Sequence, residues 1–382
     1  MSITVEPVVS RRLQKQFTQL AWDLYRGDPC WVPPLRQNQR ELLNFDPDPF
    51  YVKNEIQCFL ALKDGKPVGR VAAIINNGHI ERYKERRGFF GFFESINDQE
   101  VANALFDAAR AWLKEHDILL VRGPTNPSLN HECGLLIEGF DSMPTFMMSY
   151  NAPYYADLIE GYGFRKVEDL YAFWGDLAML ESLDPKLKFI VDEAKRRFQP
   201  VLRPINKSRF AEEVRMFLDI YNKSLVATWG FVPLSDAEVD HMAKGLKQLV
   251  VPELTTICEI EGKPVGAVFG LLDYNPRIKK IDGRLFPFGF LRLLWNRKKI
   301  HRVRLMSTNI LPEFQRWGIG LVLLERLIPD SLKFGIQEAE FSWVLESNHL
   351  SRATLERGGA KKVKSFRIYD YAPTEPAAAE KG

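Results

Sequence analysis

Cysteine is sparse and scattered in this 382-residue chain, at Cys30, Cys58, Cys133 and Cys258 only. No pair has CxxC or metal-knuckle spacing, and a chain of this size needs no disulfide framework. The thiols fit a reducing cytoplasm, and no metal is expected. No uninterrupted apolar run reaches the roughly 18 residues that span a bilayer. MSITVEPVVSRR lacks the apolar core of a signal peptide. An excess of one charge is missing too. The 52 Lys+Arg and 49 Asp+Glu leave +3, too little for charge alone to indicate a nucleic-acid partner. Hydrophobic residues at 46% and charged residues at 26% exclude a disordered or fibrous chain. The length suggests two domains.

What the chain does carry is a long internal repeat. FLALKDGKPVGRVAAI, from Phe59, has a counterpart in ICEIEGKPVGAVFGLL, from Ile257, and the shared GKPVG begins at Gly65 and again at Gly262. The same shift sets Pro7 on Pro204. It also carries Leu13, Phe17, Leu20 and Leu24, one face of an amphipathic helix, onto Phe210, Val214, Phe217 and Tyr221. GFRKVEDLYAF from Gly163 matches GAKKVKSFRIY from Gly359. Four matches in one order point to two copies of one fold.

Each copy reads as strand, helix, Trp/Pro loop (WVPPL at Trp31, WGFVPL at Trp229), hairpin, strand, helix, strand, helix and a closing hairpin-like segment. Asp98 is the expected N-cap of a helix whose apolar stripe is Val101, Leu105, Ala108 and Trp112. An early hairpin followed by a βαβ pattern predicts an α/β fold with a mixed sheet and helices on both faces. The expected first domain is 1–176 and the second 177–372, with a disordered tail at 373–382.

The copies differ in their middles. The second contains Gln315-Arg316-Trp317-Gly318-Ile319-Gly320 at a strand-to-helix turn. Two glycines let backbone N–H groups crowd an anion, and the helix behind them adds its positive end. Arg316 adds a charge-assisted hydrogen bond. A plain capping turn is the commoner origin of such a string, but its place after a strand favours a diphosphate cradle. Pro329 is expected to kink or end the following helix early. The first copy has FFESINDQEV there, with no glycine pair.

Ile310-Leu311-Pro312-Glu313-Phe314-Gln315-Arg316-Trp317-Gly318-Ile319-Gly320 resembles the coenzyme A signature of the GNAT acyltransferase superfamily, V/I-x-P-x-[YF]-[QR]-x-x-G-x-G. Asn348 opens the helix that, in this family, runs to a Gly-Phe pair. Here Gly359-Ala360 closes it. The resemblance covers 200–372 well and the first copy more loosely, so it implies two tandem GNAT-like acyl-CoA N-acyltransferase domains, the first degenerate and without a phosphate loop. It implies that the amides of Gly318, Ile319 and Gly320 hold the coenzyme A diphosphate, with Gln315, Arg316 and Trp317 also among the cofactor-binding residues. Asn309, Ile310 and Leu311 would pair with the pantetheine arm and present an N–H to the thioester oxygen, and Asn348 would hydrogen-bond that arm. The tyrosine that protonates the leaving thiolate in many relatives is Leu355 here, so that acid is absent.

Acyl transfer to an amine needs thioester and amine held together, an N–H at the developing oxyanion, and a group to take the amine proton. Three candidates for that group are Glu346, which ends a predicted strand, His131, in the oversized loop GPTNPSLNHECGLLIEGFD, and Glu94, in GFFGFFES. His349 and Glu132 are neighbours of the same kind. The loop serves equally well as a cover for a core, and Phe89, Phe90, Phe92 and Phe93 read most simply as core.

An insertion from Gly283, GRLFPFGFLRLLWNRKKIHRVR, has no counterpart in the first copy. Aromatic and leucine residues beside Arg284, Arg292, Arg297, Lys298, Lys299, Arg302 and Arg304 suit a segment lying in a membrane interface; a hydrophobic element buried between domains is the alternative. The chain thus reads as a tandem GNAT-like, acyl-CoA-dependent N-acyltransferase, cytoplasmic, with peripheral membrane contact through 284–304. The donor is acetyl- or long-chain acyl-CoA. The pattern also looks like bacterial acyltransferase-like proteins that include a ceramide synthase type, which implies a sphingoid-type lipid amine as acceptor. A soluble N-acetyltransferase acting on a small amine or protein lysine, and a non-catalytic coenzyme A-binding protein, are the alternatives.

Overall fold

The computed structural model describes residues 2–177 and 184–373. The expected tail beyond 373 and the stretch 178–183 beside the expected domain boundary lie outside the described residues. The chain forms two compact units. Unit 1 takes the chain up to Phe140, then Ser149–Asp169 and the stretch from Phe366; unit 2 takes Asp141–Met148 and Leu170–Ser365. Each unit therefore includes sequence from the other half of the chain.

The architecture is the expected α/β mixed sheet, built twice. In unit 1 the strands Ile3–Pro7, Glu55–Lys63, Lys66–Ile75 and Arg87–Ser95 pair antiparallel in that order. Leu120–Gly123 then joins parallel to Arg87–Ser95, and Tyr369–Tyr371 of the last strand, Lys361–Tyr371, pairs antiparallel with Leu120–Gly123. Unit 2 repeats this order with Val201–Arg203, Thr255–Ile260, Lys263–Leu272 and Arg302–Ile310, then Glu338–Leu345 in parallel. Its closing strand is the segment Leu170–Asp176 of the strand Arg165–Asp176.

The repeated GKPVG is a hairpin turn both times. Asp64 and Gly65 have φ of 51° and 75°, and Glu261 and Gly262 have 52° and 74°. Two left-handed residues in a row match the right-handed twist of the flanking strands. Alternate side chains of unit 1's strands feed two cores. Cys58, Leu60, Leu62, Ala72, Ile74, Phe89 and Phe92 pack with Leu13, Phe17 and Leu20 of the helix Arg11–Leu24. Phe59, Ala61, Val71, Ala73, Phe90 and Phe93 pack with Val101, Leu105 and Phe106 of the helix Gln99–Glu115. A strand covered on both faces is apolar at every position, which is why GFFGFFES shows no alternation.

The closing strand of unit 1 is fixed by charge as well as by its ladder. Arg122 donates from Nε and Nη2 to the two Asp370 oxygens at 2.7 Å each, and Arg87 adds a third contact at 2.9 Å. A bidentate, largely buried pair of this kind fixes register.

Of the two outcomes expected of Pro329, a kink or an early end, the helix does not show the end. The helix Ile319–Phe334 runs through it. Val322, Leu323, Leu327, Ile328 and Ser331 bury one face, and that packing outweighs one missing N–H.

Two glycines test the packing. A Cβ at Gly91 falls 1.7 Å from the Thr125 carbonyl oxygen, so Gly91→Ala is expected to destabilise by about 3 kcal/mol or more. Gly245, in the helix Asp236–Leu246, has nothing within 4 Å, so Gly245→Ala is expected to stabilise by about 0.5–1 kcal/mol. Chemical denaturation of the two variants gives both signs.

Candidate functional site

The two units part company where a strand meets its parallel neighbour. In unit 2, Arg302–Ile310 and Glu338–Leu345 pair only from Arg302↔Glu338 to Leu305↔Phe341. Beyond that the strands have no register with each other, while Arg302–Ile310 stays paired along its other edge as far as Ile310. Residues 306–309 therefore offer main-chain groups along an edge that no strand covers among the described residues. In unit 1 the matching edge is filled. Phe92 N–H donates to Asn126 Oδ1 at 2.6 Å, Ser95 N–H to the Tyr155 hydroxyl at 3.0 Å, and the Tyr154 hydroxyl to the Ser95 carbonyl at 2.7 Å.

The helix that follows differs in the same sense. In unit 1, Asp98 is the N-cap of Gln99–Glu115; its carboxylate accepts from Glu100 N–H and meets Lys63 at 2.7 Å. That helix end already holds an anion from its own chain. In unit 2, Gly318 is the N-cap of Ile319–Phe334, with φ of 79° and no side-chain cap. Its positive end is not neutralised by its own cap.

Around this end the expected residues fall into distinct roles. Gln315 donates from Nε2 to the Ser224 carbonyl at 2.9 Å and the Ile310 carbonyl at 3.0 Å, holding the loop in place. Arg316 and Trp317 are exposed. A Cβ at Gly320 would sit 3.3 Å from Ile310 Cδ1, so its glycine keeps the strand close to the helix. A Cβ at Gly318 would collide with Ile190 Cγ2 at 2.4 Å. The bare face of Gly318 is thus packed against protein, and its positive φ is what demands glycine.

Ile190 belongs to Pro185–Phe198, a helix with no counterpart in the first copy and one that pattern reasoning did not connect to the loop. Arg197 stacks 3.8 Å above Trp317, Phe198 meets Phe314 and Trp317 edge-on, and Lys195 pairs with Glu325 at 2.9 Å.

On the strand, Asn309 is buried. Its Oδ1 accepts from the Ser224 hydroxyl at 3.2 Å and its Nδ2 has no partner among the described residues. Ile310 is buried as well. Leu311 N–H donates to the Val265 carbonyl at 2.9 Å, so that amide is committed inside the fold. Asn348 is an N-cap; its Oδ1 accepts from Ser351 N–H at 3.1 Å.

Glu346 follows the strand Glu338–Leu345 and accepts from the Tyr171 hydroxyl at 3.2 Å. Arg352 and Lys362 lie over the Tyr171 ring, at 5.1 and 4.9 Å. Leu355 packs on the apolar cluster that contains Tyr171. No spacing in the sequence links positions 171 and 346; strand pairing does, through Val344↔Tyr171.

The other two acid–base candidates belong to unit 1. Glu94 is buried. Its Oε2 accepts from Tyr25 and Tyr155 at 2.7 Å each, and its Oε1 meets Arg70 at 3.4 Å. Burial pushes its carboxyl up, against Arg70 and the two phenols. His131 Nδ1 lies 2.9 Å from the Ser128 hydroxyl, with its ring edge-on to Phe50. The loop around it buries Leu135 and Leu136, and Asn151 bonds both the N–H and the carbonyl of Leu136.

A polar hub in unit 2 sits where the two strands separate. Arg304, fully buried, donates to the Ser342 hydroxyl at 2.8 Å and to the carbonyls of Phe146 and Met147 at 3.0 and 2.8 Å. Thr145 and Ser342 both donate to Glu340, at 2.6 and 2.9 Å. Asp273 accepts from the backbone of Phe146 and Asn275 at 3.0 and 3.2 Å. This corrects the reading of the basic insertion. Arg304 is a core residue and Arg302 pairs with Glu338, so the exposed basic segment ends at Lys299.

The fold that these features build is the tandem GNAT N-acyltransferase fold. A tandem GNAT protein from the clavulanic acid biosynthesis pathway superposes with a TM-score of 0.57 over 98% of this chain and 100% of that one, at 12% identity. No family model matches the sequence. Two curated relatives do. Protein YghO of Escherichia coli is 38% identical over 93% of this chain and 92% of its own length. A bacterial ceramide synthase of Caulobacter vibrioides is 33% identical over 97% of each. The chain belongs to the family of these two proteins.

The hub gives stability a pH dependence. Burial raises the Asp273 carboxyl from 3.8 to about 6, helped by Glu340 and opposed by its two backbone bonds and Arg302. The native state then binds more protons than the unfolded chain between those values. This contribution is most favourable below pH 3.8 and declines as pH rises through about 6, by about 3 kcal/mol in all. Asp273→Asn is expected to shrink the stability difference between acid and neutral pH, read from urea unfolding across that range.

Proposed function

We propose that the protein transfers an acyl group from acyl-coenzyme A to the amine of a long-chain lipid, of the sphingoid-base type, at a membrane surface on the cytoplasmic side. The observation that carries the reading is the pairing of an uncapped helix end at Gly318 with an uncovered strand edge beyond Leu305. Family membership with a protein named as a bacterial ceramide synthase supports the lipid acceptor.

The thioester substrate brings an activated acyl carbon. The first turn of Ile319–Phe334, with Arg316 beside it, suits the diphosphate. The open edge at 306–309 suits the amide-bearing pantetheine arm, and buried Asn309 keeps an unpaired Nδ2 beside it. Holding amine and thioester together accounts for much of the rate in such a reaction, because well-oriented reactants are worth about 7–11 kcal/mol. The C–N bond forms as the C–S bond breaks, and one amine proton must leave. Glu346, with Tyr171 bonded to it, is the carboxylate assigned to receive that proton, and the Tyr171 hydroxyl stands in for the acid that Leu355 cannot supply.

Three measurements test this. In a donor-by-acceptor screen read by mass spectrometry, a long-chain amine is expected to gain an amide from a long-chain acyl-coenzyme A. Thiol release with small amines or protein lysine alone would replace the lipid reading with an ordinary N-acetyltransferase, and binding without release would leave a coenzyme A-binding protein. Glu346→Gln is expected to lower kcat by about 10²-fold with unchanged coenzyme A affinity. Gly320→Glu is expected to abolish coenzyme A binding in calorimetry while the fold survives; unchanged affinity would refute the site.

A further inference from the structure

Residues 283–300 of unit 2 build a surface that the acyl-transfer chemistry does not use. The short helix Gly289–Leu294 and its flanks leave Phe286 72% exposed, Phe288 70%, Leu291 51% and Trp295 76%. Four large apolar side chains within ten residues of sequence, all facing solvent, are far from the scattered exposed leucine that any protein carries. Leu293 and Ile300 are the buried anchors.

The backbone under these side chains is held rigidly. Arg277 donates from Nη1 to the Leu293 carbonyl at 2.9 Å and to the Trp295 carbonyl, and from Nη2 to the Asn296 carbonyl at 2.8 Å. The first is a carbonyl of the helix's last turn, the second belongs to its C-cap Trp295, and the third lies one residue beyond. Arg297 reaches back to the Gln248 carbonyl at 2.8 Å. A Cβ at Gly289 would strike the Arg284 carbonyl oxygen at 1.8 Å, so the turn before the helix closes tightly on itself. The apolar side chains are presented by a backbone already hydrogen-bonded in place, which lowers the ordering cost of binding.

Charge selects the occupant. Arg284, Arg292, Lys298 and Lys299 are exposed around the apolar group. Asp282 is the one carboxylate within 283–300 and its immediate neighbours, and it lies 3.6 Å from Arg284. Apolar tips with exposed cations beside them in sequence complement a layer that is hydrocarbon inside and anionic at its rim.

We propose that residues 284–299 are a rigid wedge that docks the protein on an anionic lipid bilayer, with Phe286, Phe288, Leu291 and Trp295 entering the interface and Arg292, Lys298 and Lys299 on the headgroups. The proposal rests on the lipid-acceptor reading and deepens it by naming the surface that meets the membrane.

Flotation of the full chain with vesicles of phosphatidylglycerol and phosphatidylcholine tests it. The wild type is expected to float at low salt and to be released as salt rises. Phe288→Ser with Trp295→Ser is expected to weaken flotation at least about tenfold. Each of Arg292→Gln, Lys298→Gln and Lys299→Gln is expected to weaken it about fivefold. These side chains are exposed, so melting and coenzyme A affinity should stay as in the wild type. A wild type that stays unbound, or a serine variant that floats equally well, overturns the proposal. A wild-type dimer that the serine variant converts to monomer assigns the patch to a second copy and also overturns it. A parallel assay on a detergent-solubilised long-chain amine separates the two readings. Acylation without flotation sinks the wedge alone; flotation without acylation of any amine sinks the lipid-acceptor reading alone.

Discussion

The positive end of one helix governs how this molecule divides its labour. Both units begin a long helix just after the strand that carries the fold's parallel neighbour, so both generate the same ring of unpaired N–H groups. Unit 1 spends that field on its own Asp98, with Lys63 behind it. Unit 2 places Gly318 there and supplies no side chain. A capped helix end has its field answered from within the chain; an uncapped one keeps its positive end uncompensated by a cap. The filled edge at Phe92 and Ser95 against the open edge beyond Leu305 repeats the contrast one layer away.

A second constraint is how the sheets are finished. A strand from the later half of the sequence closes unit 1, and one from the earlier half closes unit 2. The Arg122–Asp370 pair fixes one of these strands. The exchange also has chemical consequences. It brings Tyr171 to Glu346, and it accompanies the delivery of Thr145, Phe146 and Met147 to the Arg304 hub. The polar contacts of unit 2 are therefore assembled from both halves of the chain, although only the second half carries the Gln315–Gly320 string.

Local rules made much of this legible in advance. The twin hairpins follow from Asp-Gly and Glu-Gly, the Asp98 cap from its place before an apolar stripe, and the Phe89–Phe93 core from its uninterrupted hydrophobicity. The loop at 315–320 was recognisable because glycines in a fixed spacing mark backbone approach. Three features escaped. Pro329 passes through its helix because a buried face outweighs one lost bond. Arg304 looks like one more cation at a basic edge, yet three backbone and hydroxyl acceptors make it core. The helix Pro185–Phe198 has an ordinary amphipathic pattern, and nothing in that pattern says that Ile190 fills the space beside Gly318.

The sequence by itself determined that there are two copies of an α/β plan, that one copy has a Gly-x-Gly pair at its strand-to-helix turn, and that an apolar and basic insertion stands outside the repeat. These are properties of short windows, where periodicity, turn residues and side-chain type act on neighbours. Tertiary structure alone decided which strand completes which sheet, which phenol meets which carboxylate, and which of seven cations in one segment are buried. Those outcomes depend on contacts between residues more than a hundred positions apart, and such contacts are selected by the packing of the whole sheet and leave no spacing in the chain to read.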